Sequence, residues 1–96
     1  VYEDDEMIAF KDIHPQAPIH LLWISKKHIV GIDGTEPEHI QLMGRILFMM
    51  KEYAIREQLH TEGYRIVSNI GKNGRQSVRH MHFHFLAGRE LSEILG

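Results

Sequence analysis

The spacing of apolar residues along the chain separates strand-like stretches from one helical stretch. Residues 7–13, "MIAFKDI", are short and apolar-rich and stop at "HPQAP", where Pro15 and Pro18 remove amide donors and favour a turn. Residues 19–25, "IHLLWIS", carry branched and aromatic side chains and predict a strand. "KKHIVGIDG" then runs out through two glycines and an aspartate. From Glu36 to about Leu59 the apolar period becomes about 3.6 and predicts a helix. Thr35 followed by Glu38 reads as a capping box, Glu36 adds negative charge near the helix start, and Pro37 falls in the first turn, where a missing N–H is harmless. Residues 63–70, "GYRIVSNI", predict a strand, "GKNGRQ" (71–76) a turn, and "SVRHMHFHFLAG" (77–88) the last long strand, hairpin-paired with the one before it. The tail "RELSEILG" suits a short helix or an extended arm.

The helix is apolar beyond the needs of one core. Ile40, Met43, Leu47, Met50 and Ala54 form one stripe, and Leu42, Ile46, Met49 and Tyr53 form the next. Together they cover about half the helix surface, wider than the ~100° stripe that faces a single core. Either the surplus packs on a second subunit or methionines fill a generous intrachain core.

Composition narrows the classes of function. The 96 residues suit one domain, 1–96, with no repeat or linker. A formal net charge of −2 gives no bulk attraction to nucleic acid or to an anionic membrane, and neither is expected as a partner. The chain has no cysteine, which excludes disulfides, thiolate metal sites and a cysteine nucleophile, and accords with a cytoplasmic location. No apolar run approaches the ~20 residues of a transmembrane helix. The chain opens "VYEDDEM" without an initiator methionine, so further residues before Val1 are expected.

The concentrated chemistry lies in "RHMHFHFLAG", 79–88. On a strand, residues two apart share a face, so His80, His82 and His84 would stand about 6.5–7 Å apart in a row while Met81, Phe83 and Phe85 face the core. Three uses are open to such a row. A metal could bind, but a straight strand spreads the ligands too far for all three to reach one ion at ~2.0–2.1 Å without a bulge. An unprotonated ring could attack phosphorus, its neighbours fixing its tautomer and cradling the phosphate, with Ser77, Gln76 and Asn69 just upstream. The histidines could also simply cover a solvent-facing side of the sheet.

With these residues in view, "QSVRHMHFHFLAGR" resembles the signature of the histidine triad (HIT) family, histidine–φ–histidine–φ–histidine–φ–φ with φ apolar. Gln76-Ser77-Val78 before the triad and Gly88-Arg89 after it resemble the Hint branch of nucleoside phosphoramidases, as do "VYEDDEMIAFKDIHPQAPIHLLWISKKHI" and "GYRIVSNIG". The resemblance implies an α+β fold, a five-stranded antiparallel sheet with one long helix, doubled to ten strands in a homodimer. It implies hydrolysis of purine nucleoside phosphoramidates or related nucleotidyl conjugates through a covalent nucleotidyl-His82, with no cofactor and no metal. His84 would contact phosphate oxygens, His80 would be mainly structural and His28 would support the triad. Ser77 would touch the scissile phosphate or the leaving group. Asn69 and the backbone at Arg75, Gln76 and Ser77 would hold the phosphate, Asp12 the ribose hydroxyls, and Ile13 and Phe10 the base. His14, His20, His39 and His60 receive no role. From spacing alone Asp12 would merely start a turn. A dinucleoside polyphosphate hydrolase, or a nucleotide- or metal-binding module without turnover, are the alternatives.

The chain also departs from the pattern. Arg75 stands where the family usually has a small residue, often glycine, and can hold its backbone without strain only at negative φ. Ile70 stands where many relatives are acidic or small. The tail lacks a tryptophan-proline ending, and the segments that usually help wall the purine pocket would lie before Val1.

Overall fold

The computed structural model describes residues 1–93. Five strands form one sheet: β1 (Tyr2–Glu3), β2 (Met7–Lys11), β3 (Ile19–Ser25), β4 (Arg65–Val67) and β5 (His82–Ala87), in the order β1-β2-β3-β5-β4 with every pair antiparallel. One helix, α1 (Ile40–Arg56), packs across it. The α+β expectation holds. The last two strands do pair, over Arg65↔Leu86 to Val67↔His84, but both are shorter than the sequence predicts. Residues 77–81 leave the ladder, and 68–81 form a long connection with a turn at 71–75. The end of the tail, 94–96, lies outside the described residues.

The two faces of the sheet have opposite characters because side chains alternate. Met7, Ala9, Leu21, Trp23, Phe83, Phe85 and Ala87 point to α1 and are buried with Ile46, Met50 and Ala54. Aromatic edges lock this core: Tyr53 meets Phe85 at 5.5 Å and Trp23 at 5.9 Å, while Tyr64 stacks on Phe85 at 4.9 Å. The other face carries Phe10 on β2, His20, Leu22 and Ile24 on β3, and His82, His84 and Leu86 on β5, paired as Ile24↔His82, Leu22↔His84 and His20↔Leu86.

The helix is trimmed at both ends relative to its apolar pattern. Pro37–His39 form a 3₁₀ turn, and the capping contact is shifted by one residue, the Glu36 N–H donating to Nδ1 of His39 at 2.9 Å. Thr35 instead donates to the Ile32 carbonyl. At the far end Gln58 enters the left-handed region at φ 59°, with Gln58 N–H bonded to Ile55 O and Leu59 N–H to Ala54 O, the Schellman arrangement that stops an α-helix. Arg45 ties α1 to the first turn through Asp4 at 2.7 Å and holds that carboxyl well below the usual carboxylate range. Of the apolar stripes, Ile46, Met50 and Ala54 are buried, whereas Ile40 and Leu47 are exposed; Phe48 and Ile55, outside both stripes, are exposed apolar residues as well.

Phe85 touches α1 and Tyr64 from the middle of the sheet. Phe85→Ala is expected to cost about 3–5 kcal/mol in urea unfolding through transfer loss and an unfilled cavity.

Candidate functional site

β3 and β5 assemble the site, and backbone groups fix the hydrogen on each ring. Nδ1 of His82 lies 2.8 Å from the His80 carbonyl, which can only accept. In neutral His82 the proton therefore sits on Nδ1, and Nε2 keeps a free lone pair. A second chain of bonds sets His84. The Gln16 backbone N–H donates to Nδ1 of His20 at 3.0 Å, so neutral His20 is protonated on Nε2. That Nε2 lies 2.9 Å from Nδ1 of His84, which must accept. His84 is left with its N–H on Nε2. Adjacent rings of one strand, 5.1 Å apart, thus differ: His82 offers a lone pair and His84 offers a hydrogen.

His84 resists protonation. Burial lowers its pKa from the ordinary 6.5, the neighbouring His82 and His20 lower it further, and Asp12 opposes them. His20 also lies 3.5 Å from Asp12 Oδ2. The other oxygen of Asp12 accepts the His14 N–H at 2.8 Å, so Asp12 both shapes the turn and reaches the histidines.

The expected row of three imidazoles is revised. His80 precedes β5 and leaves the row: its Nε2 bonds the Ser25 carbonyl at 2.7 Å. Its Nδ1 faces Nδ1 of exposed His28 at 3.4 Å, with the rings edge to face. His80 thereby links His28 to the backbone that orients His82. His82 is more enclosed than a solvent-facing row implies, being 6% exposed. His20, given no role from sequence, takes the vacant place beside His84. Its signal was the alternation His20, Leu22, Ile24 in "IHLLWIS", which becomes informative only when β3 is known to pair with β5.

The 71–76 loop folds on itself beside these rings. Arg75 N–H bonds Lys72 O and Gln76 N–H bonds Gly71 O, each at 3.0 Å, so two of the three amides expected to cradle phosphate, all but that of Ser77, are engaged within the loop. The Gln76 side chain accepts from Gly71 N–H and donates to the carbonyls of Val30 and Val78, acting as a staple. Asn69 donates to Gly74 O at 2.8 Å across the loop. A Cβ at Gly74 would lie 2.3 Å from Ile70 O, so only glycine fits there. Arg75 sits at φ 60°, not at the negative value an unstrained backbone requires, a left-handed position that costs a non-glycine residue about 1–2 kcal/mol. Ser77 is exposed, Phe10 is 40% exposed on the sheet face, and Ile13 projects into solvent at 86%.

Asp12, His20 and His84 each bring a ligand-type atom within 4.8 Å of one another, a spacing compatible with a metal ion. The hydrogen placement opposes it. Freeing Nε2 of His20 to ligate would move its proton to Nδ1, directly against the donating Gln16 N–H. A metal here requires that loop to shift.

These assignments predict that, near pH 8, long-range ¹H–¹⁵N correlations show His82 as the Nδ1–H form and His84 as the Nε2–H form. His84 should titrate below 6.5. Because the unfolded chain binds that proton first, stability should fall as pH drops from about 6.5 toward the lower folded value.

A HIT domain family model matches residues 1–91. Over 95 residues the chain is 40% identical to a purine nucleoside phosphoramidase of Escherichia coli K12, spanning 99% of this chain and 80% of that protein. It is 45% identical to adenylylsulfatase HINT1 of Arabidopsis thaliana, over 96% of this chain and 63% of that one, and 46% identical to a 14 kDa zinc-binding protein of Brassica juncea, over 96% and 82%. The crystal structure of a HIT family hydrolase from Legionella pneumophila superposes with a TM-score of 0.93 at 44% identity, covering 97% of this chain and 83% of that chain. The family model spans nearly all of this chain, the superposed hydrolase shares its fold, and the chain belongs to the HIT domain family.

Proposed function

We propose that this chain hydrolyses purine nucleoside phosphoramidates or related nucleotidyl conjugates through a nucleotidyl-His82 intermediate. The observation that carries this reading is the His82 Nδ1–H bond to the His80 carbonyl, which leaves Nε2 of the neutral ring with a lone pair for attack. The carbonyl also stabilises the positive ring that forms when Nε2 bonds to phosphorus, because its hydrogen bond strengthens as charge develops. His84, held neutral and with Nε2–H outward, donates to a phosphoryl oxygen. His20 and the Gln16 amide position His84 by fixing its tautomer. His28 and His80 position the carbonyl that serves His82.

Ser77 and Asn69 complete the phosphate site, with Gln76 and the Arg75 backbone shaping the loop rather than lending their amides. The free face of Asp12 Oδ2 accepts from ribose hydroxyls, and Phe10 and Ile13 flank the base, their exposure leaving apolar surface for a purine to cover. The names of the bacterial and plant relatives support cleavage at a nucleotidyl phosphorus. The zinc-binding name of the Brassica relative favours the module without turnover, and the donor arrangement of Asp12, His20 and His84 is the site it would use. The fixed tautomer of His20 weighs against that second reading. A dinucleoside polyphosphate hydrolase would use the same His82 chemistry.

A cytoplasmic location and a homodimer are part of the same proposal. No helix among the described residues is long and apolar enough to cross a membrane. Ile40, Leu47, Phe48 and Ile55 form an exposed apolar strip on α1 that a second copy would cover, and among the described residues β4 is an edge strand of the sheet, where strand pairing with a second copy could occur.

Mass spectrometry of protein mixed with an adenosine phosphoramidate should detect one AMP adduct on the wild type and none on His82→Ala, with turnover reduced by several orders of magnitude and AMP binding retained. Stoichiometric metal that resists chelation, with no adduct, would establish the module instead. Light scattering should give twice the chain mass, and Phe48→Glu should shift it toward the monomer.

A further inference from the structure

Sheet order places β2 and β4 on opposite sides of the β3–β5 pair. Asp12 follows β2, whereas on the β4 side the histidine face opens into a cavity of about 670 Å³. Its lining includes His20, His84 and Gln16 together with three arginines, Arg65, Arg75 and Arg89. No Asp or Glu belongs to the lining among the described residues. Arg89 donates to the carbonyls of Glu90 and Gln16, at 2.9 and 3.1 Å, which anchors its guanidinium without cancelling the charge. Arg75 makes no ion pair among the described residues. The chain thus holds a long cation at a left-handed position that glycine occupies without strain, and that cation borders the cavity beside His84.

We propose that this cavity receives the group leaving phosphorus, and that Arg75 and Arg89 select a compact oxyanion, sulfate or phosphate, over an amine. The inference rests on attack by His82 as proposed above. In the first step the Nε2 lone pair of His82 bonds to phosphorus and the P–O bond to the leaving group breaks, its electron pair departing on that oxygen. Sulfate or phosphate leaves without taking up a proton, and its growing negative charge is met by guanidinium groups. An amine must be protonated to leave, and the same arginines oppose the ammonium that results. Water then adds to phosphorus, releases its proton to solvent, and the P–N bond breaks to return the lone pair to Nε2 and free the nucleoside monophosphate.

The test compares kcat/KM for adenosine 5′-phosphosulfate, ADP and adenosine 5′-phosphoramidate in wild type, Arg75→Gly and Arg75→Lys. Glycine suits φ 60°, so Arg75→Gly removes the cation without straining the loop. The ratio of oxyanion-releasing substrate to phosphoramidate should fall at least about tenfold in Arg75→Gly, and Arg75→Lys should recover most of it. The wild-type ratio should narrow between about 20 mM and about 300 mM salt, since Arg75 is exposed and its charge is screened. The larger fall, with phosphosulfate or with ADP, identifies which oxyanion the cavity takes. A ratio unchanged in Arg75→Gly overturns the inference and leaves the His82 reading standing. Wild-type protein that releases AMP from none of the three overturns both.

Discussion

The pairing of β3 with β5 is the constraint on which the rest depends. One antiparallel register, Ile24↔His82 through Ile19↔Ala87, sends Trp23, Phe83 and Phe85 to the helix and His20, His82 and His84 to the opposite face. Side chains alternate with period two, so a slip of one residue would exchange the faces completely. Imidazoles would then lie under α1 without polar partners, and large aromatic rings would meet water. Both changes are unfavourable, which makes core packing and site assembly the same event.

Within that frame, backbone groups decide what each ring can do. A carbonyl beside Nδ1 of His82 and an amide beside Nδ1 of His20 have opposite polarity, and they leave the two triad members of β5 in opposite tautomers. These are properties of fixed main chain, so they need no reorganisation when a substrate arrives. Burial and neighbouring rings lower the pKa of His84 and so favour its uncharged form.

The loop before β5 shows a different economy. Gly74 fits because no side chain could pass Ile70, and Gln76 pins the loop to Val30 and Val78. Arg75 does not follow this logic. Its backbone position favours glycine, while its side chain borders an arginine-lined cavity. A residue that local geometry disfavours, sharing a cavity with His84, is best understood through what its charge meets.

Much of this was legible in the chain. The 3.6-residue period located α1, the alternation in "HMHFHFLA" separated core aromatics from site histidines, and the linked motifs pointed to the family. These are short-range patterns, and a strand or helix imposes them on its own residues. The sequence pattern overran the helix at Arg56, because a left-handed Gln58 stops it, and it extended β5 back over His80, because the Ser25 and Ile29 carbonyls that draw residues 80 and 81 away are remote in sequence. His20 was unreadable for the same reason: its partners are Gln16 on a turn and His84, 64 residues away. Residue types and periods were written locally and could be read locally. Tautomers, the gathering of His20 with His84 and the company of Arg75 come from groups brought together only by the sheet, and tertiary structure alone decided them.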